Sequence, residues 1–180
     1  MIFTSLPVSS HALVTLRALT PADIPVWFRY LTLPQVYEHT SWLPQSPSEL
    51  TGMVAGAEPS TPSSRLRLAI ALRTNDELVG TAGFHTVAPE NRSAEIAYDL
   101  APSAWGKGIA TYACGLLTAW AHSDAGLNRV QATTLESNAR SRRVLERCGF
   151  RCEGLLRGYR LVRGTPGNFF MYSHLSDDAP

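Results

Sequence analysis

Little in this sequence points to a disulfide scaffold, a membrane or a polyanion. Cysteine is scarce: Cys114, Cys148 and Cys152 are the three in 180 residues. An odd number without paired spacing excludes a disulfide framework and fits a reducing compartment. No Cys/His cluster has zinc-ligand spacing, so no metal is expected. Neither sign of charge is in excess. A net charge of +1 provides no global field for nucleic acid or an anionic membrane, so any bound anion must be held locally. No apolar run is long enough to span a bilayer. The first ten residues lack a basic stretch and an apolar core, so no secretory signal is read there. The expectation is a single cytoplasmic domain over residues 1–180, with its core over about 12–175.

What is present is a succession of alternating elements. Leu13, Val14 and Leu16 predict a first strand within 11–19. Thr20, Pro21 and Asp23 supply an N-cap, a first-position proline and a first-turn acid, so a helix is expected over 20–31. Short helices are expected over 35–39 and 48–54, with a loop over 59–64. Strict alternation of Leu66, Leu68, Ile70 and Leu72 predicts a strand over 65–73, with a hairpin partner over 78–87. A strand over 93–100 completes an antiparallel meander. Ile109, Ala113, Leu116, Leu117, Trp120 and Ala121 then repeat with a period near 3.6, which predicts a helix from Lys107 to about His122. A strand over 128–135, a helix over 138–147 and strands over 150–162 and 168–175 follow, the last two around a loop at 163–167; 176–180 reads as a frayed tail. Strand, helix, strand in this order implies a right-handed parallel crossover. The fold class is therefore α/β, a mixed and mostly antiparallel sheet of about seven strands with one central parallel pair, flanked by about four helices.

The stretch Trp105-Gly106-Lys107-Gly108-Ile109-Ala110 lies between the first strand of that pair and the long helix. Two glycines allow a sharp turn, and a helix start presents unpaired N–H groups and partial positive charge. Together they make an anion site suited to phosphates. The spacing of a nucleotide-binding P-loop is absent. A dinucleotide fingerprint needs a third small residue where Thr111 stands.

These residues resemble the pyrophosphate loop of the GNAT superfamily of acetyl-coenzyme A-dependent N-acyltransferases, Q/R-x-x-G-x-G/A before a long helix. The fit holds except that Trp105 replaces Gln or Arg. Ala94-Glu95-Ile96-Ala97-Tyr98 is similar to the A-E-I-G-Y strand of the ribosomal-protein N-terminal (RimJ/RimL-like) branch. The segment from Asn138 and Ser141 to Gly149-Phe150 resembles its N-x-x-S…G-F motif, and Glu153-Gly154 follows in place. The resemblance spans about residues 12–175 and implies a parallel pair that splays around the pantetheine arm. It implies a coenzyme A site made by Leu100, Trp105, Gly106, Lys107, Gly108, Ile109, Ala110, Asn138 and Ser141. Asn138 would hold the pantetheine, and Ser141 would protonate or stabilise the leaving thiolate.

Amide formation needs a neutral amine. An α-amine, with a pKa of roughly 7.7–8, needs only a modest base, whereas lysine at about 10.4 needs more. Glu95 is the candidate base. On a regular strand it shares a face with Ala97 and Asp99, opposite Ile96, Tyr98 and Leu100, and two acids on one face would raise one pKa. Some members of the branch carry a second carboxylate after the Glu-Gly pair; here that stretch reads Arg157-Gly158-Tyr159-Arg160. His85 is a second candidate base, and Tyr98 is expected to be a core residue. Cys114 and Cys148 lack the paired base that a covalent route needs. The expected activity is transfer of an acetyl group from acetyl-coenzyme A to a primary amine in a ternary complex, most naturally a protein N-terminal α-amine. The alternatives are a small-molecule amine acceptor (antibiotic, polyamine or amino-acid derivative) and a non-enzymatic acyl-coenzyme A-binding module. Exposed strand edges allow a homodimer.

Overall fold

The computed structural model describes residues 6–55 and 65–178. Seven strands are present: β1 (Val14–Ala18), β2 (Leu66–Leu72), β3 (Leu78–Ala88), β4 (Ser93–Leu100), β5 (Arg129–Leu135), β6 (Arg151–Val162) and β7 (Thr165–Leu175). They form one sheet in the order β1-β2-β3-β4-β5-β7-β6. Every neighbouring pair is antiparallel except β4–β5, as the sequence predicts. The described helices are α1 (Ile24–Leu31), α2 (Pro34–Tyr37), α3 (Ser48–Ala55), α4 (Ile109–Ser123) and α5 (Ala139–Arg147). They number five, close to the expected four, and α2 is a single turn overlapping the short helix expected over 35–39. The expected loop at 59–64 and the last two residues of the tail lie outside the described residues.

The parallel pairing is short. Ser93, Ala94 and Glu95 pair with Arg129, Val130 and Gln131, and the ladder stops there. Beyond that point each strand follows its other neighbour. β4 stays on β3 as far as Leu100 opposite Gly80, and β5 stays on β7 as far as Leu135 opposite Phe169. The two strands therefore separate toward their C-terminal ends. This is the expected splay.

Apolar packing covers both faces. On one, Leu68, Ile70, Phe84 and Ile96 pack with Ile109, Leu117 and Trp120 of α4. On the other, Trp27, Tyr30 and Leu31 of α1 and Leu50 of α3 close over Ala69 and Leu78. Thus β2 keeps its predicted alternation, yet Ala69 and Ala71 between the leucines are buried too, because helices lie on both sides.

Two local differences from expectation have clear causes. The helix expected from Thr20 begins as a 3-10 turn, Pro21–Asp23, closed by a capping box between Thr20 and Asp23. Pro25, in the first turn of α1, has no N–H with which to extend an α-helical ladder back to Pro21. The expected 163–167 loop shrinks to a two-residue turn. Arg163 and Gly164 both have positive φ (49° and 85°), the pattern of a tight hairpin, so β7 starts at Thr165.

β3 runs very close to β2. A Cβ added at Gly83 would lie 1.8 Å from the Leu66 carbonyl oxygen, a backbone atom that cannot turn aside. Gly83→Ala should therefore destabilise the protein by about 3 kcal/mol or force β2 and β3 apart. Urea denaturation checks this; an unchanged midpoint would contradict the close approach.

Candidate active site

The glycine turn adopts the conformation its sequence requires. Gly106 and Gly108 both have φ of 74°, in the left-handed region. A Cβ at either would meet nothing within 4 Å, so open space lies before the turn. Gly108 is the N-cap of α4, and the first helical bond runs from the Tyr112 N–H to the Gly108 carbonyl at 2.9 Å. The N–H groups of Ile109, Ala110 and Thr111 precede that bond and have no intrahelical acceptor.

A cavity of about 630 Å³ opens at this helix start. Of the expected coenzyme A residues, Leu100, Trp105, Gly106, Gly108, Ile109, Ala110 and Asn138 line it. Lys107 does not: it is solvent-exposed and off the cavity wall. Positive charge comes from α5 instead, where Arg140, Arg143 and Arg147 line the same cavity. Their spacing of three and four places them on one helical face. The stripe is legible in the sequence as three arginines at helical spacing, beside the Asn138 and Ser141 positions that carry the family resemblance.

Trp105, which stands where the family pattern has Gln or Arg, has two defined partners. Its indole N–H donates to the Leu100 carbonyl at 3.0 Å, and the Arg140 guanidinium sits 4.6 Å from its ring centroid. The Ala101 N–H bonds back to Val79 of β3 at 2.8 Å. By strand alternation Leu100 then points its own backbone groups into the gap beside β5. Its carbonyl is taken by Trp105, so its N–H is the group left to meet a ligand there.

Asn138 is the N-cap of α5, its Oδ1 accepting from the Ser141 N–H at 3.0 Å. It also lines both this cavity and a second one, so the cap leaves its amide NH₂ beside open space. Ser141 lines the second cavity only, and its Oγ lies 3.0 Å from the Tyr98 hydroxyl. Tyr98 packs against the core as expected, but its hydroxyl reaches the site and it lines both cavities. Burial, more than any neighbouring charge, pushes its phenol well above the ordinary value, so it remains a protonated donor.

The second cavity, of about 530 Å³, lies on the α1 face of the splay and contains Glu95, His85, Arg65, Arg67, Asp99 and Arg160. Glu95 is 3% exposed. Its Oε1 accepts from Thr133 Oγ1 at 2.5 Å and from Arg160 Nη2 at 3.2 Å, and His85 Nε2 lies 3.7 Å away. Burial pushes the His85 imidazole below its ordinary value. The nearby Glu95 charge opposes that shift, and Arg160, Arg67 and Arg65 add to it.

Glu95 and Asp99 both line this cavity, and each carboxylate faces its own guanidinium. Asp99 accepts from Arg67, from Thr81 at 2.7 Å and from the Tyr30 hydroxyl at 2.5 Å. Arg160 reaches Glu95 because β6 is bulged: Leu156 pairs with Phe169 but Arg160 with Gly167, and Gly158 takes a φ of 60° within the extra residues. Sequence periodicity could not place it.

Cys114 is fully buried in the α4 core, its thiol pushed up by a hydrogen bond with Cys148 and by burial. Neither cysteine lines either cavity. Among the described residues no group of three potential metal ligands exists, and no helix is long and apolar enough to cross a membrane.

The residues present fit coenzyme A. Free N–H groups and an arginine stripe suit a pyrophosphate. The Thr134 hydroxyl is buried at the splay and lines the second cavity with no hydrogen-bond partner among the described residues. That orphaned group is one an amide-bearing arm would satisfy. Gly108→Trp should fill the open space before α4 and abolish coenzyme A binding in calorimetric titration while preserving the far-UV circular dichroism. Retained binding would move the anion elsewhere.

Residues 14–151 match the family model described as acetyltransferase (GNAT) domain. The chain is 32% identical over 164 residues to an uncharacterized N-acetyltransferase, p20, of Bacillus licheniformis, covering 90% of this chain and 92% of that protein. It is 30% identical over 102 residues, 57% of each chain, to the ribosomal-protein-serine acetyltransferase of Escherichia coli. The solved structure of Mycobacterium smegmatis RimJ in complex with CoA-disulfide superposes with a TM-score of 0.80 at 28% identity, over 93% of this chain and 84% of that one. With the glycine turn, the splayed parallel pair and the sheet order all in place, the chain belongs to the GNAT family of acetyltransferases.

Proposed function

We propose that this acetyltransferase transfers an acetyl group from acetyl-coenzyme A to a primary amine, most naturally the α-amine of a protein N-terminus, by direct attack in a ternary complex. The observation that carries this reading is the meeting of the two cavities at Tyr98, Asp99 and Asn138. One cavity has the chemistry for a pyrophosphate and the other for an amine. Acetyl-coenzyme A supplies the activated acetyl group; this chain's residues hold the partners and move the protons.

In the transfer the amine nitrogen forms a bond to the acetyl carbon, and the carbon–sulfur bond breaks with its electron pair going to sulfur. The Glu95–His85 pair receives the amine proton. The imidazole is neutral at pH 7 and the carboxylate beside it balances the charge it gains. The Ser141 hydroxyl, backed by Tyr98, faces the leaving sulfur and returns a proton. Binding both reactants side by side supplies the proximity that such a reaction needs.

An α-amine acceptor suits this arrangement because its pKa lies about 2.5 units below that of lysine. The likeness to the E. coli ribosomal-protein-serine enzyme supports the same choice. Incubation with acetyl-coenzyme A and ribosomal-protein N-terminal peptides should release free thiol and add one acetyl mass to the α-amine. Thiol release with small amines alone would assign the acceptor to them.

Glu95→Gln is expected to lower kcat by about 10²-fold or more while coenzyme A binding holds; unchanged turnover across pH would remove Glu95 from the proton path. With His85 in the path, kcat falls with acid through a midpoint below 6.5, because the base works only when neutral. Arg160→Gln removes a charge that depresses His85, so the midpoint should move upward.

A further inference from the structure

Among the described residues, the charges that line the second cavity do not balance. Its lining holds three guanidinium groups, Arg65, Arg67 and Arg160, against two carboxylates, Glu95 and Asp99. Arg67 is paired with Asp99 and Arg160 with Glu95. Arg65 has no hydrogen-bond or ion-pair partner among the described residues, and it is solvent-exposed at the cavity's edge.

Its position follows from the sheet. Leu66 pairs with Phe84 and His85 with Glu95. Arg65 immediately precedes Leu66, the first residue of β2, so it flanks the row that His85 and Glu95 form across β3 and β4, and its charge acts on His85. His85, pushed below its ordinary value by burial, adds no charge of its own at pH 7. A second cation entering this row meets repulsion, whereas an anion meets an uncommitted guanidinium with donors to spare.

Building on the acetyl-transfer reading above, we infer that the preferred acceptor is an amine with a carboxylate or phosphate close to the reacting nitrogen, its anion bound by Arg65 and its amine delivered to the Glu95–His85 pair. A peptide beginning with Asp or Glu and a free acidic amino-acid derivative share this chemistry. A polyamine lacks it. The bonds made and broken are those of the acetyl transfer already described; Arg65 binds and takes no proton.

The test is free-thiol release with matched acceptors: tetrapeptide amides differing only in Asp, Asn or Lys at the first position, together with aspartic acid α-amide, asparagine α-amide and spermidine. The Asp member of each pair should exceed its Asn partner in kcat/KM by about tenfold, with Lys and spermidine lowest. The peptide and single-residue pairs separate the two sources. Arg65→Gln should bring the kcat/KM values of the Asp and Asn peptides, compared at one pH, within about threefold of each other, and Arg65→Glu should favour the Lys peptide. Equal rates for Asp and Asn in the wild type, or a preference for spermidine, would overturn the inference while the acetyl-transfer reading survives. No thiol release with any amine would sink that reading instead. The inference is then decided by calorimetry, in which N-acetyl-aspartate amide must bind more tightly than N-acetyl-asparagine amide and lose that advantage in Arg65→Gln.

Discussion

The early end of the β4–β5 ladder is the constraint on which the site depends. Parallel pairing lasts for three residue pairs, and each strand then stays with its antiparallel neighbour. Backbone groups that a longer ladder would have consumed, such as the Leu100 N–H, are left facing a gap. The gap opens at the carboxyl ends of the two strands, where ligands bind in α/β sheets. The N-terminal ends of α4 and α5 border the same gap, through the Gly108 turn and the Asn138 cap. Had the ladder continued to Leu100, neither helix start would face a space large enough for a ligand arm.

Much of this was legible in the sequence, and the part that was not has a common cause. Glycines at 106 and 108 announce a backbone that must take positive φ. Alternation placed Glu95 and Asp99 together on one face and Tyr98 with the core face. The three-residue step from Asn138 to Ser141 placed a cap and a hydroxyl on one turn. These are local, periodic signals. The failures involve contacts distant in sequence. Arg160 reaches Glu95 across 65 positions and only through a bulge that breaks the period of β6. Asp99 finds Arg67 from a different strand, and Lys107 points to solvent although it stands within the motif. Periodicity fixes a face; it does not say which charge from elsewhere will cover that face.

The electrostatics divide along the same line. Burying a carboxylate costs several kcal/mol unless it is paired and hydrogen-bonded. Glu95 and Asp99 each satisfy that condition with one arginine and one threonine: Arg160 and Thr133, Arg67 and Thr81. Asp99 adds the Tyr30 hydroxyl of α1 and thereby ties the N-terminal helices to the sheet. Glu95 adds no such tie to a helix. It sits instead beside His85 in a cavity, the arrangement expected of a group retained for chemistry rather than for packing. The same sheet face thus carries one acid tied to a helix and one that lines a cavity beside a histidine.

Trp105 and Tyr98 show how the two cavities are kept distinct yet joined. Trp105 gives its N–H to Leu100 and one ring face to Arg140, so it closes the wall between β4 and α5. Where the family pattern has Gln or Arg at position 105, a guanidinium reaches the same place from α5, one residue before Ser141. Any shift of α5 therefore moves the Arg140 guanidinium and the Ser141 hydroxyl together. Tyr98 is the counterpart on β4: its ring packs on the core and its hydroxyl meets Ser141, while its edges border both cavities. In the proposed transfer, a thioester arriving through one cavity and an amine arriving through the other would meet at this side chain. Its depth in the core keeps the phenol protonated when they do.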